Sequence, residues 1–440
     1  MSKRLTRRRF LQTSAALGAA GFWSGRLSGD DKKDSPNERL HVGIIGVTNQ
    51  GEYNTNQVVQ AGAAVVALCD VDERRVGKAR ERFPHATFHV DWRKLLDQKG
   101  LDAVVIATPD HIHAPATVAA LKAGLHVYCE KPLTHTVHEA RVVAETAAKQ
   151  KRVTQMGTQI HAGSNYRRVV ELIQAGAIGP VREVHAWCAR SYGGRKRPAE
   201  SEPVPPGLHW DLWLGPAPER PFYHGPNKDG NGIYHPFNWR GWWDFGGGTL
   251  ADMACHYLDL PFWALNLRHP TKVAAEGPPP DPESAAVWLI VRYEFPARGD
   301  LPPVKLTWYD GGKRPPAFAE GKLPQWGDGV LFVGDKGMLL ADYTKHRLLP
   351  EKQFEGFQPP RPSIPESIGH HREWVEACKG NGTTSCSFDY AGALTETVLL
   401  GNVAYRLGQP LDWDAQALRA RNAPDADRFL RKEYRKPWTL

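Results

Sequence analysis

Apolar and polar positions along residues 39–157 alternate between a pattern typical of strands and one typical of helices. Short, nearly continuous apolar runs predict five strands, at residues 40–45, 64–69, 103–107, 125–129 and 152–156. The stretches between them predict four helices, at residues 51–61, 72–83, 114–123 and 137–149. Buried strands that alternate with helices are typical of a parallel sheet covered on both faces. The pattern therefore predicts an α/β domain over residues 39–157.

The pattern changes near Gly157. Strands follow without helices between them, at residues 181–190, 287–295, 304–308 and 330–340. This arrangement predicts an open, mainly antiparallel sheet with one solvent-exposed face. Helices are predicted at residues 166–175, 370–378 and 390–407. Residues 158–440 are therefore expected to form a second, α+β domain.

Residues 191–245 have no periodicity and are rich in glycine, proline and tryptophan. A long irregular segment inside a folded chain is usually either functional or disordered. Because disordered segments are poor in aromatic residues, we expect this segment to have a functional role.

Length and charge narrow the class of protein. The 440 residues are enough for two domains, each with its own core. The formal net charge of +8 comes mainly from residues 1–29, which hold six basic residues and no acidic one. About +2 remains for the rest of the chain. That leaves no basic surface to neutralise phosphates, so a nucleic-acid partner is excluded.

The first residues predict where the protein works. Arg8 and Arg9 precede Phe-Leu, and a small-residue apolar run over residues 15–23 follows. This layout indicates a twin-arginine export signal. The run is much shorter than the roughly 20 apolar residues of a membrane span. We therefore expect residues 1–38 to be a signal peptide and flexible leader, and the folded protein to reach the periplasm without a stable membrane span.

A glycine turn joins the first strand to the first helix. Aligned on its last glycine, the turn has Gly46, Thr48 and Gly51 where a dinucleotide fingerprint has three glycines. Thr48 replaces the glycine that lets the backbone approach a pyrophosphate. Asp70 ends the second strand, where an acidic residue holds ribose hydroxyls and favours NAD. NADP stays open because two arginines follow, and the alternative for Asp70 is a helix N-cap.

Two further motifs carry candidate chemistry. Glu130 and Lys131 directly follow a predicted parallel strand, and ligands of such sheets lie at the carboxyl ends of the strands. Three glycines at residues 246–248 precede an apolar helix with Asp252 and His256 four residues apart, hence on one face. From the residues alone, a structural Asp–His pair is about as well supported as a catalytic one.

Together these motifs resemble those of the glucose–fructose oxidoreductase, inositol dehydrogenase and MocA (Gfo/Idh/MocA) family. The resemblance covers residues 40–410 and adds the sequence Thr-Pro-Asp-His at residues 108–111. It implies a Rossmann dinucleotide-binding domain, an open-sheet C-terminal domain and a sugar, glycoside or cyclitol substrate. By motif, it implies that Lys131, Asp252 and His256 are catalytic. The residues expected at the cofactor are Gly46, Thr48, Asn49, Gln50, Gly51, Asp70, Thr108, Pro109, His111, Glu130 and Lys131.

Oxidation of an alcohol needs a base for the hydroxyl proton. Histidine titrates near neutral pH, so His256 is the first choice. Lys131 would stabilise the developing alkoxide, and Asp252 would orient the substrate hydroxyl or the imidazole. A Lys131 with a lowered pKa is the alternative base.

Polar and aromatic residues near these motifs suit a sugar, which has apolar C–H faces and hydroxyl edges. For any single tryptophan, a place in the core is the stronger alternative. The residues expected to bind substrate are Gln159, His161, Asn238, Arg240, Trp242 and Trp243.

The 18 histidines and six cysteines show no zinc-ligand spacing, so no dedicated metal is predicted. A homo-oligomer, dimer or tetramer, is expected through the exposed face of the second sheet. Two alternatives to a simple dehydrogenase stay open. One is a glycosidase that oxidises, eliminates and re-reduces with one NAD, and the other is a non-catalytic sugar-binding protein.

Overall fold

The computed structural model describes residues 39–225 and 232–440, and residues 39–440 form one compact unit with two sheets. The predicted signal peptide and leader, residues 1–38, lie outside the described residues. The first half of the unit contains the elements β1 His41–Ile45, α1 Gln50–Gln60, β2 Ala64–Cys69, α2 Gly77–Arg82, β3 Thr87–His89, α3 Trp92–Leu96, β4 Ala103–Ile106, α4 Asp110–Lys122, β5 His126–Cys129, α5 Val137–Gln150 and β6 Thr154–Met156.

These strands form a six-stranded, fully parallel sheet in the order β3-β2-β1-β4-β5-β6. The chain reverses its direction of travel across the sheet between β1 and β4. In doubly wound sheets, ligands bind at such a reversal, outside the carboxyl ends of the strands. The predicted α/β fold is therefore confirmed, and its topology places a binding crevice beside β1 and β4.

The second half is built on a longer sheet. Its elements are α6 Ser164–Gln174, β7 Val181–Trp187, α7 Trp210–Leu214, α8 Gly248–Tyr257, α9 Asp259–Ala264, β8 Lys272–Glu276, β9 Ile290–Phe295, β10 Val304–Tyr309, α10 Pro316–Ala319, β11 Gly329–Gly334, β12 Gly337–Ala341, β13 His346–Leu349, α11 His370–Cys378, α12 Phe388–Leu407, β14 Leu411–Asp414, β15 Arg419–Ala420 and α13 Asp427–Leu430. Short 3₁₀ turns occur at Glu73–Arg75, Gln159–Ala162, Asn238–Gly241, Glu351–Phe354 and Pro424–Ala426.

The nine strands follow the order β13-β12-β11-β7-β10-β9-β8-β14-β15. Neighbouring strands are antiparallel except for β7 and β10. The predicted open, mainly antiparallel sheet is therefore confirmed. Two boundaries were wrong: residues 330–340 form the hairpin of β11 and β12, and residues 72–83 form a 3₁₀ turn followed by the short helix α2.

Helix α12 connects the two halves. It packs against α5 of the first half and against α8 and β8 of the second. Residues 391–405 of this helix are all buried, so the protein encloses the helix on every side. Because α12 packs on both α5 and α8, the helix that bears Asp252 and His256 shares one core with a helix of the first half. Among the described residues, no helix is both long and apolar enough to cross a membrane.

Candidate active site

A cavity of about 830 Å³ lies at the carboxyl ends of the first sheet. The glycine turn and Asp70 line one end of it, and Lys131, Asp252 and His256 line the other. The two predicted motif groups, far apart in sequence, thus border one continuous space. This size is typical of sites for cofactors and small molecules.

The glycine turn depends on two of its residues. Gly46 has a φ of +83°, and a Cβ there would lie 2.5 Å from the Ala107 carbonyl oxygen. A Cβ on Gly51 would lie 1.8 Å from the Gly46 carbonyl oxygen. Only glycine therefore permits this close approach of α1 to β1. Thr48, Asn49 and Gln50 line the cavity where the N-terminus of α1 faces it, which is a favourable place for an anion.

Asp70 holds the end of β2 to the glycine turn. Its Oδ2 accepts the Val47 N–H at 3.1 Å, and its Oδ1 accepts the Asp72 N–H at 3.0 Å. Burial raises the pKa of Asp70. The alternative role as a helix cap belongs instead to Asp72, whose side chain accepts the Arg74 N–H at the following 3₁₀ turn. Asp70 lines the cavity beside Arg75.

Glu130 is the centre of a buried hydrogen-bond network. Its Oε1 accepts from Gln50 Nε2 at 3.1 Å, from Asn54 Nδ2 at 2.9 Å and from Gln159 Nε2 at 2.8 Å. Burial raises the pKa of this carboxyl group, and the three amides oppose the shift. The network joins the first helix, the end of β5 and the start of the second half. Gly157 leaves room for it, because a Cβ there would lie 2.5 Å from the Glu130 carboxyl group.

Replacing Gly157 with alanine should therefore displace Glu130 and destabilise the protein by about 1–3 kcal/mol, the usual cost of overpacking a filled interior. Urea unfolding measures the change. Gly77→Ala is the matched control, because a Cβ at Gly77, the first residue of α2, meets no atom within 4 Å. Equal stability of Gly157→Ala and Gly77→Ala would contradict the role given to Gly157.

Lys131 and Asp252 form an ion pair at the other end of the cavity. Lys131 Nζ donates to Asp252 Oδ1 at 2.8 Å and to the Asp252 carbonyl oxygen at 2.9 Å. Arg240 Nε donates to the same Oδ1 at 3.0 Å. Burial alone would raise the pKa of Asp252, but the two cations outweigh it and the pKa is lowered. Burial also disfavours charge on Lys131, but Asp252 outweighs it and raises the pKa, so Lys131 is a stable ammonium.

His256 is not paired with Asp252, contrary to one of the expected arrangements. Its imidazole makes no hydrogen bond to any residue that the structure describes, and it lines the cavity near the Tyr343 ring, 6.3 Å away between centroids. Burial and the nearby charge of Lys131 lower the pKa of His256 to about 3. The imidazole is therefore neutral at physiological pH, and both of its nitrogens are available to a ligand.

Asp110 is a site residue that sequence reasoning missed. It begins α4, lines the cavity and is 3% exposed. Its carboxyl group has no hydrogen bond to a described residue, and burial, with the Asp252 charge, raises its pKa to about 8. The only signal was its place within the Thr-Pro-Asp-His sequence.

His111 is not at the cavity, unlike Thr108 and Pro109, which line it as expected. The His111 imidazole is buried against Trp213 and Phe245, and its Nε2 is 3.0 Å from the Trp213 carbonyl oxygen. Successive helical residues point in directions about 100° apart, so only one of Asp110 and His111 can face the cavity.

Of the expected substrate residues, Gln159 and Arg240 line the cavity. The other four do not lie there, because each side chain is used elsewhere. The contacts that hold them are His161 with Asp259, Asn238 with Arg195 and Gly232, Trp242 with the Ile233 carbonyl and Trp243 with the Asp281 carbonyl.

The aromatic lining of the cavity comes from other members of the irregular segment. Trp213, Phe237 and Trp239 line it, and the Arg240 guanidinium lies 4.3 Å from the centroid of the Trp239 ring. The segment is anchored next to β2, because His235 Nε2 lies 2.9 Å from Asp72 Oδ2. Described residues of the irregular segment 191–245 thus line the cavity together with the glycine turn, which agrees with the functional role predicted for the segment.

A buried group of metal-ligand type lies apart from this cavity. One ligand atom each from His161, Asp259 and Cys386 lies within 4.8 Å of the others. However, His161 Nδ1 is 2.9 Å from Asp259 Oδ1, and Tyr390 donates to the same oxygen at 2.7 Å. These groups satisfy one another, as buried polar groups normally do.

Comparison with known proteins agrees with this geometry. Residues 40–158 match a family model described as an oxidoreductase family with an NAD-binding Rossmann fold, and residues 178–302 match the C-terminal alpha/beta domain of the same oxidoreductase family. The chain belongs to the Gfo/Idh/MocA oxidoreductase family. Residues 40–158 form the NAD-binding Rossmann domain of that family.

Curated relatives match this family member over part of their length. Inositol 2-dehydrogenase 1 of Saccharopolyspora erythraea is 36% identical over 151 residues, which are 33% of this chain and 44% of the relative. Levoglucosan dehydrogenase of Pseudarthrobacter phenanthrenivorans is 33% identical over 159 residues, 33% of this chain and 39% of the relative. The matches thus span less than half of each relative.

Solved structures share the fold over nearly the whole chain. The WlbA dehydrogenase of Bordetella pertussis, in complex with NADH and UDP-GlcNAcA, aligns with a TM-score of 0.59 at 16% identity, over 86% of this chain and 99% of its own. The aldose-aldose oxidoreductase of Caulobacter crescentus aligns with a TM-score of 0.58 at 17% identity, over 85% and 100%.

The cavity fits NAD by its own features. The N-terminus of α1 and the turn at residues 46–51 would hold the pyrophosphate, and Asp70 would accept from the ribose hydroxyls. Thr108 offers a buried hydroxyl without a partner among the described residues. Thr48 is accommodated because its side chain borders open space.

Proposed function

We propose that the protein is an NAD-dependent oxidoreductase that oxidises a hydroxyl group of a sugar, glycoside or cyclitol. The observation that carries this proposal is the Lys131–Asp252 ion pair, which lies in the same cavity as the glycine turn and beside a neutral His256. A cationic hydrogen-bond donor and a proton acceptor in one cofactor cavity are the groups that alcohol oxidation requires.

When bound, NAD supplies the hydride acceptor. Lys131 binds the substrate oxygen and stabilises the negative charge that develops on it. Asp252 fixes the direction of the ammonium and is itself held by Arg240, because its Oδ1 accepts from both Lys131 Nζ and Arg240 Nε. His256 accepts the hydroxyl proton. Between the two candidate bases, the electrostatics favour His256, since Asp252 raises the pKa of Lys131 whereas His256 is already neutral.

His256→Asn should lower kcat about 100-fold, within the usual range for loss of general-base catalysis. With no protein base, hydroxide takes the proton, so the rate of the variant should rise about tenfold per pH unit above neutrality. Wild type should lack that slope over the same range, because its base is already neutral there. Rates measured by NADH absorbance across pH test this. Parallel pH profiles of the two proteins would contradict the role of His256.

The residues that line the cavity and the names of the relatives both support the proposed substrate class. Trp213, Phe237 and Trp239 give apolar faces, while Gln159 and the Lys131 ammonium give polar edges, as a ring with hydroxyl groups requires. The names of the relatives, inositol and levoglucosan dehydrogenases, point to the same class.

The test is NADH formation, followed by absorbance, with myo-inositol, levoglucosan, free sugars and aryl glycosides. Saturable NADH formation with at least one of them supports the proposal. Release of the aryl group without net NADH would favour the glycosidase alternative. Sugar binding without turnover would contradict both and favour a binding protein.

Tight retention of the cofactor is part of the proposal. Leu208 and His235 lie beside the loop after β2, because Leu208 pairs with Asp72 in antiparallel fashion and His235 Nε2 lies 2.9 Å from Asp72 Oδ2. Trp213 and His235 line the cavity on that side, which supports slow release of a bound nucleotide.

Export by the twin-arginine route is also proposed, on the strength of Arg8, Arg9 and the apolar run after them. Cell fractionation would find the protein expressed from the full sequence in the periplasm, and an Arg8→Lys/Arg9→Lys variant inside the cell. Equal distribution of the two proteins would contradict export by this route.

A homo-oligomer through the exposed face of the nine-stranded sheet completes the proposal. Arg292, Glu294 and Lys305 are exposed between buried neighbours on β9 and β10, and open sheets commonly associate. Sedimentation velocity at micromolar concentration tests it, and a monomer there would contradict it.

A further inference from the structure

A second cavity, of about 290 Å³, lies behind the glycine run that precedes α8. One wall is the face of α12 that carries Leu399, Asn402 and Arg406, at the spacing of one helix face. The opposite wall is formed by the C-terminal segment around Arg428 and Phe429. Gly246 and Gly247 separate it from the helix of the active site. It shares no lining residue with the NAD cavity.

Arg406 carries a charge with no acidic partner in this cavity. Its guanidinium lies between two aromatic rings, 4.8 Å from the centroid of Trp243 and 4.4 Å from that of Phe429. Within the described residues it makes no hydrogen bond or ion pair. The nearby carboxylate of Asp244 is already bound to Arg220. Burial lowers the pKa of Arg406 to about 10.

The unpaired charges leave the cavity positive, because Arg406 and Arg428 outnumber the exposed carboxylate of Glu433. Arg431 also lines the cavity but is paired with Asp427. Arg428 is exposed at the rim and also has no acidic partner among the described residues, while Lys432 is paired with Glu139 at 3.0 Å. Asn402 is 6% exposed: its Nδ2 donates to the Gly247 carbonyl at 2.8 Å, and its Oδ1 is buried without a partner in the described chain. In the part of the chain that the structure describes, the Asn402 oxygen thus lacks a hydrogen-bond donor, and the Arg406 guanidinium, one helical turn along, lacks an acceptor. Together these two groups indicate a polar ligand in the cavity.

The Arg406 side chain is only partly exposed, and a charge that is partly removed from water is stabilised by an acidic partner. Both rings lie within 5 Å of the guanidinium carbon and offer no hydrogen-bond acceptor of their own, so the N–H groups of Arg406 have no partner in the described residues and are free to bind an acidic one. The edge of the guanidinium matches the two oxygens of a carboxylate or phosphate. We propose that this cavity binds a small oxyanion, a carboxylate or phosphate group, whose charge Arg406 and Arg428 neutralise and whose own hydroxyl or protonated oxygen donates to Asn402.

The test uses the full chain saturated with NADH, so that the pyrophosphate site of the first cavity is occupied. Sodium phosphate and sodium malate, which carries a hydroxyl group, are titrated separately at constant ionic strength with chloride, and thermal unfolding is followed. A ligand that binds only the native state raises its stability with concentration. We expect a saturable rise with phosphate or malate, and the one effective at lower concentration identifies the class of anion.

Arg406→Met keeps an apolar stem between the rings and removes the guanidinium, so the apparent Kd should rise at least tenfold. Arg406→Lys, which keeps the charge without the paired N–H groups, should also weaken binding and serves if the methionine variant does not fold. Arg347→Met is the control, because Arg347 is an exposed arginine on β13 paired with Glu351, and it should bind as wild type does. Absence of a saturable rise in wild type, or an equal Kd in the Arg406 variants, would overturn the proposal.

Discussion

Lys131→Met should lower kcat for sugar or cyclitol oxidation about 1,000-fold while leaving NAD binding within a few-fold of wild type. The loss of one well-placed donor to a developing oxyanion costs about 100- to 1,000-fold, and here the donor also carries the charge. The side chain is 13% exposed and bonded to Asp252, so water cannot readily take its place. Steady-state rates and NADH fluorescence titration measure the two quantities.

The variant is expected to fold, because Asp252 keeps its bond to Arg240 at 3.0 Å. Lys379→Met is a suitable control: Lys379 is paired with Glu376 and 16% exposed, close to the 13% of Lys131, but lies outside the cavity. It should retain wild-type kcat. A Lys131→Met enzyme with more than a tenth of wild-type kcat would show that Lys131 does not stabilise the transition state.

Asp110→Asn should stabilise the cofactor-free protein at alkaline pH. The folded-state pKa of Asp110, about 8, lies above the ordinary value of 3.8. At a pH between these two values, the carboxyl group is protonated in the native state and ionised in the unfolded state. Stability conferred by that proton falls as pH rises from about 4 to 8 and is fully lost above it. Asparagine does not ionise, so the variant avoids this loss.

At about 1.4 kcal/mol per pKa unit, the rise from 3.8 to about 8 sets an upper limit of about 6 kcal/mol. Water entry around the ionised carboxylate lowers this cost, so we expect the variant to exceed wild type by about 3 kcal/mol at pH 9. At pH 4 the difference should largely disappear. Thermal unfolding midpoints across pH measure it, with Asp425→Asn, an exposed aspartate, as the control. A difference that does not change between pH 4 and 9 would contradict a buried, ionisable Asp110.

A group in an active-site cavity that lowers stability is typical of functional residues, and we expect Asp110 to be such a group. Asp110 lies in the same cavity as Lys131 and Asp252, and Asp252 contributes to its raised pKa. The carboxyl group at this position is therefore neutral near pH 7 and can donate a hydrogen bond as well as accept one.

The sequence was sufficient to predict the fold and the presence of Lys131 and Asp252 at the site. Apolar strands alternating with helices predicted the parallel sheet, and the rule that ligands lie at strand ends put Lys131 at the cavity. The ion pair between Lys131 and Asp252 could not be predicted from the sequence, because 121 residues separate them. Motif spacing placed both residues at the site, but only packing of α8 on the first half brings them together.

Helix rotation and irregular backbone account for the residues that were misplaced. His111 follows a strand end as Asp110 does, but α4 turns it toward Trp213. Trp239 and Trp242 are three residues apart in a segment without periodicity, so no pattern indicated that the first faces the cavity and the second, 1% exposed, the core. Where a segment has no repeat, residue type alone does not give direction.

The central claim is that the cavity holds a nicotinamide dinucleotide against Lys131 and His256. The most direct measurement is to purify the full chain without added cofactor, denature one sample, and identify and count the released nucleotide by mass spectrometry. A second sample, kept folded, is titrated with NADH. The account predicts NAD or NADH near one per chain, or saturable NADH binding if purification removes it. Protein that releases no nucleotide and binds no NADH on titration would contradict the account.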